Sequence, residues 1–213
     1  MAEGTSEFEI PLPLTAAGDD PPRMDFPQQV IALGDMTLRR FDREADLPEL
    51  FEVLKESLEH LSPWMPWVAE PSLAKTADFL TRRHEAWDKG RDFTYAIVLD
   101  RAIVGACQLF RRDDSPVNGR EIGYWLHSAA TGRGVATRAA RALVDQAFRL
   151  PGVDYVEVVH DPANRASAAV PARLGFTEHP RRLAEGLDPA ETGRDQVWRL
   201  TRHQANRVVS DAC

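Results

Sequence analysis

Apolar residues recur along the chain with two different periods, and the switches between them outline the elements. Short β-prone runs at Val30 to Leu33 and Met36 to Phe41 flank Gly34-Asp35, which predicts a hairpin. The spacing then turns helical. Leu47, Leu50, Phe51, Leu54 and Leu58 share one face of a helix predicted from Asp46 to about Leu61, with Asp46 and Glu49 placed as a capping box. The run SPWMPWVAEP cannot prolong that helix, because each proline lacks an N–H and pushes its predecessor toward extended geometry. Ser72 starts a second helix, carrying Leu73, Ala77, Leu80 and Trp87 and ending near Gly90. Phe93 to Leu99 and Ile103 to Phe110 are apolar runs around Asp100-Arg101, a second antiparallel hairpin, and polar Arg111 to Arg120 is a loop.

The next stretch organises the rest of the chain. Glu121 to Leu126 reads as a strand, Gly132 and Gly134 flank Arg133 in a tight turn, and Ala136, Ala139, Ala140, Leu143, Ala147 and Leu150 form a helical stripe. Tyr155 to His160 is a strand apolar on both faces, as expected where helices cover a sheet on each side. Asn164 is placed to cap a short helix. Pro171 lies deep in that helix, where it forfeits the bond to the Ser167 carbonyl and is predicted to kink or shorten it. Phe176 to Arg182 and Gln196 to Leu200 close the sheet. No internal repeat is found.

A chain of 213 residues suits one domain with a sizeable core. The boundaries predicted are a flexible tail over 1–26, the domain over 27–202 and a frayed tail over 203–213. The first tail is acidic, broken by Pro11, Pro13, Pro21 and Pro22, and has no basic start or long apolar core, so it does not read as a signal peptide. No run approaches a membrane span. With 43% hydrophobic and 28% charged residues the composition is that of a soluble protein, and a net charge of −7 argues against a nucleic-acid surface while suiting cationic partners such as amines. The two cysteines, Cys107 and Cys213, make no disulfide framework and point to a reducing, cytoplasmic setting; Cys107 lies in an apolar run and reads as a core residue.

The glycine turn is suited to an anion. The first N–H groups of a helix have no intrahelical partner, and the aligned peptide dipoles place roughly half a positive charge there. Glycine at 132 and 134 keeps Cβ atoms away from a phosphate and permits positive φ, while Arg133 and Arg138 add mobile positive charge. A dinucleotide fingerprint would require glycine where Thr137 stands, and a nucleotide P-loop would require Lys and Ser/Thr where Val135 and Ala136 stand. A plain strand-to-helix turn is the remaining alternative.

TGRGVAT, Thr131 to Thr137, resembles the pyrophosphate loop of the GNAT superfamily of N-acetyltransferases, Arg/Gln-x-x-Gly-x-Gly/Ala. Thr131 departs from the usual Arg or Gln, and Ala136 takes the last position. HLSPWMPW (His60 to Trp67), EIGYWLH (Glu121 to His127), HDPANRAS (His160 to Ser167) and RLGF (Arg173 to Phe176) are similar, in the same order, to the branch containing the ribosomal-protein N-terminal acetyltransferases of the RimJ/RimL type. The resemblance spans about residues 30 to 200. It implies an α/β (α+β) single-domain GNAT-like fold, with a mixed, mostly antiparallel sheet of six to seven strands and helices on both faces.

It also implies acetyl-CoA as acyl donor, without a metal, and a primary amine as acceptor, a protein N-terminus first and a polyamine, amino acid or amine drug next. The resemblance places the donor against Leu126, His127, Thr131, Gly132, Arg133, Gly134, Val135, Ala136, Thr137, Asn164 and Arg173. It places the acceptor against Trp64, Trp67 and Tyr124. Read from the residues alone, Trp64, Met65 and Trp67 fit better a hydrophobic lid on the core. In this branch the serine of Asn-x-x-Ser stands near the CoA sulfur, which makes Ser167 the candidate donor to the departing thiolate. Glu121 is the candidate for easing amine deprotonation, with His160 and Asp161, Glu178 or Glu185 as weaker alternatives. Backbone N–H groups at or near Leu126, in a strand that is bulged in the family, would polarise the carbonyl. Cys107 has an apolar strand setting and none of the bases a nucleophilic thiol requires. Dimers are common in the branch. A competing reading, supported by Thr131 and Pro171, is a non-catalytic acyl-CoA-binding module.

Overall fold

The computed structural model describes residues 25–112, 116–183 and 192–205. Its frame is one eight-stranded sheet in the order β1-β2-β3-β4-β5-β6-β8-β7, one or two strands more than the sequence predicts. The hairpin around Gly34-Asp35 joins β1 (Val30–Leu33) to β2 (Met36–Arg40), and left-handed Asp100 and Arg101 turn β3 (Asp92–Leu99) into β4 (Ala102–Phe110). β5 (Gly119–Leu126) follows antiparallel to β4, and β8 (Arg194–Thr201) lies between β6 (Tyr155–His160) and β7 (Thr177–Leu183).

Helices cover both faces. Helix α4 (Val135–Arg149) packs its Ala139, Leu143 and Ala147 stripe onto Tyr95, Ile97, Leu109, Ile122 and Leu126. The opposite face holds α1 (Leu47–Glu56), α2 (Leu58–Leu61) and α3 (Leu73–Asp88), where Leu50, Leu54 and Leu80 meet Ala96, Ala106 and Trp125. Fully buried leucines such as Leu50 and Leu143 each contribute about 1.5–3 kcal/mol through removal of apolar surface from water. Among the described residues no helix is long and apolar enough to cross a membrane.

Two local expectations fail for tertiary reasons. The Asp46/Glu49 capping box does not form. Asp46 is αR and gives its carboxylate to the Arg39 guanidinium at 2.6 and 2.7 Å and to the Asp42 N–H, while Glu49 accepts the Ile103 N–H at 2.7 Å. The first helix also divides at Ser57 into α1 and α2 rather than running unbroken. The Ser72 cap forms as expected, accepting the Lys75 N–H.

The feature that makes the site is a parting of two strands. β5 and β6 form the only parallel pair among the described strands, and their register runs from Gly119↔Tyr155 only to Ile122↔Val158. Beyond that rung β5 continues on β4 alone and β6 on β8 alone, so the sheet opens between Gly123–Leu126 and Val159–His160.

Candidate active site

On one side of the opening stands the glycine turn. Gly132 and Gly134 have φ of 70° and 74°, and a Cβ built on either would meet nothing within 4 Å. Gly134 is the N-cap of α4 and offers no side chain to the first helical amides, and the first turn holds no acid. The first N–H groups of this 15-residue helix, those of Val135, Ala136 and Thr137, therefore stand at its positive end without a side-chain cap. This arrangement fits the phosphates of acetyl-CoA. Val135 and Leu126 are buried in the core, so their side chains are not offered to the site. Thr131 turns its hydroxyl to the Ser128 carbonyl at 2.7 Å. His127 accepts the Ala129 N–H and meets Glu56 at 3.3 Å. Arg138 is not mobile charge as predicted: it is ion-paired with Asp35 of the first hairpin. Arg173 lies exposed at the far end of its helix.

Helix α5 (Arg165–Arg173) supplies the second group. Asn164 caps it, its Oδ1 accepting the Ser167 N–H at 3.0 Å. The helix runs past Pro171 to Arg173, so the proline does not end it. The Ser167 carbonyl that Pro171 cannot satisfy accepts instead the Tyr124 hydroxyl at 3.0 Å, and Ser167 Oγ donates to the Tyr124 oxygen at 3.3 Å. Burial raises the Tyr124 phenol to about 12, so it stays protonated and remains a donor.

Tyr124 also lines a cavity of about 580 Å³ on the α1/α3 face, bounded by Met65, Trp67, Phe79, Gln108 and Trp125. Trp67 stacks on Phe79 with ring centroids 5.5 Å apart and planes 3° from parallel. Trp64 is not among the lining residues, so of the two tryptophans expected at an acceptor only Trp67 lines this cavity. The charged rim is internally paired, Lys75 with Glu70, Arg82 with Asp78 and Arg83 with Asp92, rather than acidic as the net charge suggests. Phe79 and Gln108 were not singled out in the sequence; the signal for Gln108 is its polarity within the apolar run of β4.

Glu121 lies on the same face as Gly123 and Trp125, in the last paired rungs before the opening. Its side chain is 12% exposed. Burial raises its carboxyl to about 7, with Arg182, whose Nη2 is 3.5 Å away, and Arg112 opposing the rise and neighbouring Glu157 adding to it. Arg182 is shared with Asp195 at 3.2 Å, and Glu157 is held by Arg199 at 2.7 Å. A buried carboxyl that ionises near neutrality can take a proton from an ammonium group.

The other candidates fare differently. His160 accepts the Trp198 Nε1–H on Nε2 at 2.9 Å and has its Nδ1 2.7 Å from the Asp161 carbonyl, so both ring nitrogens are engaged within the fold. Glu178 is exposed on β7, and Glu185 and Cys213 lie outside the described residues. Cys107 is buried and its thiol is pushed up by desolvation, which agrees with a core role. The strand carrying Leu126 is not bulged. β5 keeps continuous register with both neighbours, and the irregularity falls in β4, where Ile97 pairs Gly105 and Val98 pairs Ile103. There β4 passes so close to β5 that a Cβ on Gly105 would lie 2.2 Å from the Trp125 carbonyl oxygen.

Comparisons with known proteins agree with this geometry. Residues 35–177 match the family model of the acetyltransferase (GNAT) domain. YdaF of Bacillus subtilis (strain 168), assigned by name to the ribosomal N-acetyltransferases, is 28% identical over 136 residues, covering 62% of this chain and 73% of its own. RimL, a ribosomal L7/L12 α-N-protein acetyltransferase solved with coenzyme A, superposes with a TM-score of 0.74 at 20% identity over 83% of this chain and 99% of its own. Mycobacterium smegmatis RimJ, solved with a CoA disulfide, gives 0.72 at 23% identity over 83% and 89%. The chain belongs to the GNAT family of acetyltransferases, enzymes that move an acetyl group from acetyl-CoA to an amine.

Proposed function

We propose that the acceptor is the α-amino group of a protein or peptide N-terminus, entering from the Trp67/Phe79 cavity, while acetyl-CoA enters from the glycine turn. The observation that carries this reading is the position of Tyr124, which touches Ser167 on the donor side and lines the cavity on the acceptor side of one opening. The names of the relatives YdaF, RimL and RimJ support a protein acceptor.

In this scheme the amides of Val135, Ala136 and Thr137 hold the pyrophosphate, and Asn164 and Ser167 face the thioester end. Bringing amine and thioester together in one opening makes attack effectively unimolecular. Glu121 accepts the ammonium proton, through water, since it stands roughly 7 Å along β5 from Gly123. The nitrogen lone pair forms the new C–N bond, the C–S bond breaks, the acylated nitrogen sheds its surplus proton to water, and the Ser167 hydroxyl exchanges its 3.3 Å bond to the Tyr124 oxygen for one donated to the departing thiolate. A thiol of ordinary pKa, about 8.5, leaves readily without full protonation.

The test is mass spectrometry on an incubation with acetyl-CoA and a mixed pool of short peptides, polyamines and amine antibiotics. Acetylation of peptide N-termini is the expected result. Acetylation confined to small amines would move the reading to metabolite or drug modification, and no product in the presence of bound CoA would favour the non-catalytic module.

A further inference from the structure

Proline in the interior of a helix ordinarily costs a hydrogen bond and clashes with the carbonyl four residues back. Here the vacated acceptor, the Ser167 carbonyl, belongs to the residue placed at the thioester, and it is filled from across the opening by a side chain of β5. The same tyrosine oxygen accepts the Ser167 hydroxyl, so one phenol holds both the backbone and the side chain of Ser167. Pro171 is buried. With an amide at that position, the helix would compete for the carbonyl.

We propose that Pro171 and Tyr124 form a coupled positioning device, in which the proline reserves the Ser167 carbonyl for the tyrosine and the tyrosine thereby holds the Ser167 backbone beside the donor site, leaving the longer 3.3 Å hydroxyl bond to be exchanged for one to the donor. This rests on the reading of Ser167 as the residue facing the thioester. Tyr124 acts here as a holder and not as an acid. A phenol at about 12 would surrender its proton only uphill to a thiolate whose conjugate acid lies near 8.5.

Two double-mutant cycles test it, on the full chain. In the first, thermal unfolding is measured for Tyr124→Phe, Pro171→Ala and the double variant. In the wild-type background, Tyr124→Phe strands a partly buried carbonyl and should lower Tm by roughly 4 °C. In the Pro171→Ala background the new amide supplies the bond, so the same change should cost less than half as much. Equal drops in both backgrounds would overturn the device. In the second, kinetics with acetyl-CoA and the best peptide acceptor are compared for Tyr124→Phe, Ser167→Ala and their combination. Tyr124→Phe should lower kcat about tenfold in the wild-type background and less than twofold in the Ser167→Ala background, with acceptor KM little changed. A tenfold loss in both, or an effect confined to KM, would show that Tyr124 acts on the acceptor directly and would overturn the positioning role. If Ser167→Ala alone leaves kcat unchanged, the reading of Ser167 fails, and the Tm cycle still decides whether proline and tyrosine are coupled.

Discussion

Replacing Glu121 by Gln separates its two roles, because the amide mimics the neutral acid in shape and cannot ionise. The carboxyl is raised from 4.5 to about 7, chiefly by burial. An acid that binds its proton more tightly when folded is favourable while protonated. That advantage is complete below about pH 4.5 and is lost as the pH rises through about 7. At pH 8 the folded protein carries an ionised, desolvated Glu121 at a cost of about 3 kcal/mol, against about 1 kcal/mol at pH 5. The Glu121→Gln variant does not carry this burden, so its stability relative to wild type should improve by about 2 kcal/mol between pH 5 and pH 8, whatever constant offset the amide introduces. For a domain of this size that is roughly 4–8 °C in the Tm difference. Thermal unfolding of both proteins at the two pH values measures it. In parallel, kcat/KM for wild type should rise through about pH 7 and level off, and Glu121→Gln at pH 8 should lose about 10²–10⁴-fold and the titration with it. A Tm difference that stays constant with pH would refute the burial argument. A variant that keeps the rising limb near 7 would remove Glu121 as the base, and the groups left facing that position are Glu157 and Asp195 with Arg112, Arg182 and Arg199.

Ser167→Ala should lower kcat by about tenfold or more while leaving CoA affinity, read by calorimetry, within about twofold, since its backbone amide still meets Asn164. Gly134→Ala should destabilise by about 1 kcal/mol, because φ of 74° is left-handed, and should weaken CoA binding further, because the methyl points into the space above the uncapped amides; unchanged CoA affinity would argue against phosphate at that turn. Trp67→Ala should raise the acceptor KM with little change in kcat, because in the proposed arrangement the ring, stacked on Phe79, lines the cavity the acceptor enters. Gly105→Ala should lower Tm more than any of these, since its Cβ would collide with the Trp125 carbonyl backbone.

Much of the architecture was legible because it is written locally. The Gly34-Asp35 and Asp100-Arg101 turns, the Ser72 and Asn164 caps and the alanine-rich stripe of α4 are decided within a few residues, and each appears where periodicity and turn chemistry put it. The Asp46/Glu49 box satisfied every local rule and still failed, because Arg39 and the Ile103 N–H compete for those carboxylates from outside the helix. The branch resemblance named Glu121, Tyr124 and Ser167. Their electrostatic and hydrogen-bonding settings were not legible, because Arg182 and Glu157 reach Glu121, and Ser167 reaches Tyr124, only once the sheet is assembled.

The opening between β5 and β6 shows why such a site escapes pattern reading. Both strands are β-prone along their whole length, and nothing in the composition of Gly123 to Leu126 or Val159 to His160 marks where pairing stops. The two strands part after Ile122↔Val158 while each keeps its outer neighbour to the end, β4 for β5 and β8 for β6, so the boundary depends on partners far apart in sequence. Pro171 was read as a departure weakening α5 for the same reason. A missing N–H is a defect only if its acceptor has no other donor, and here that donor is supplied by the strand exposed at the opening. The residue that looked least compatible with a working site thus becomes intelligible through its tertiary partner, and the Tyr124/Pro171 cycle tests that dependence directly.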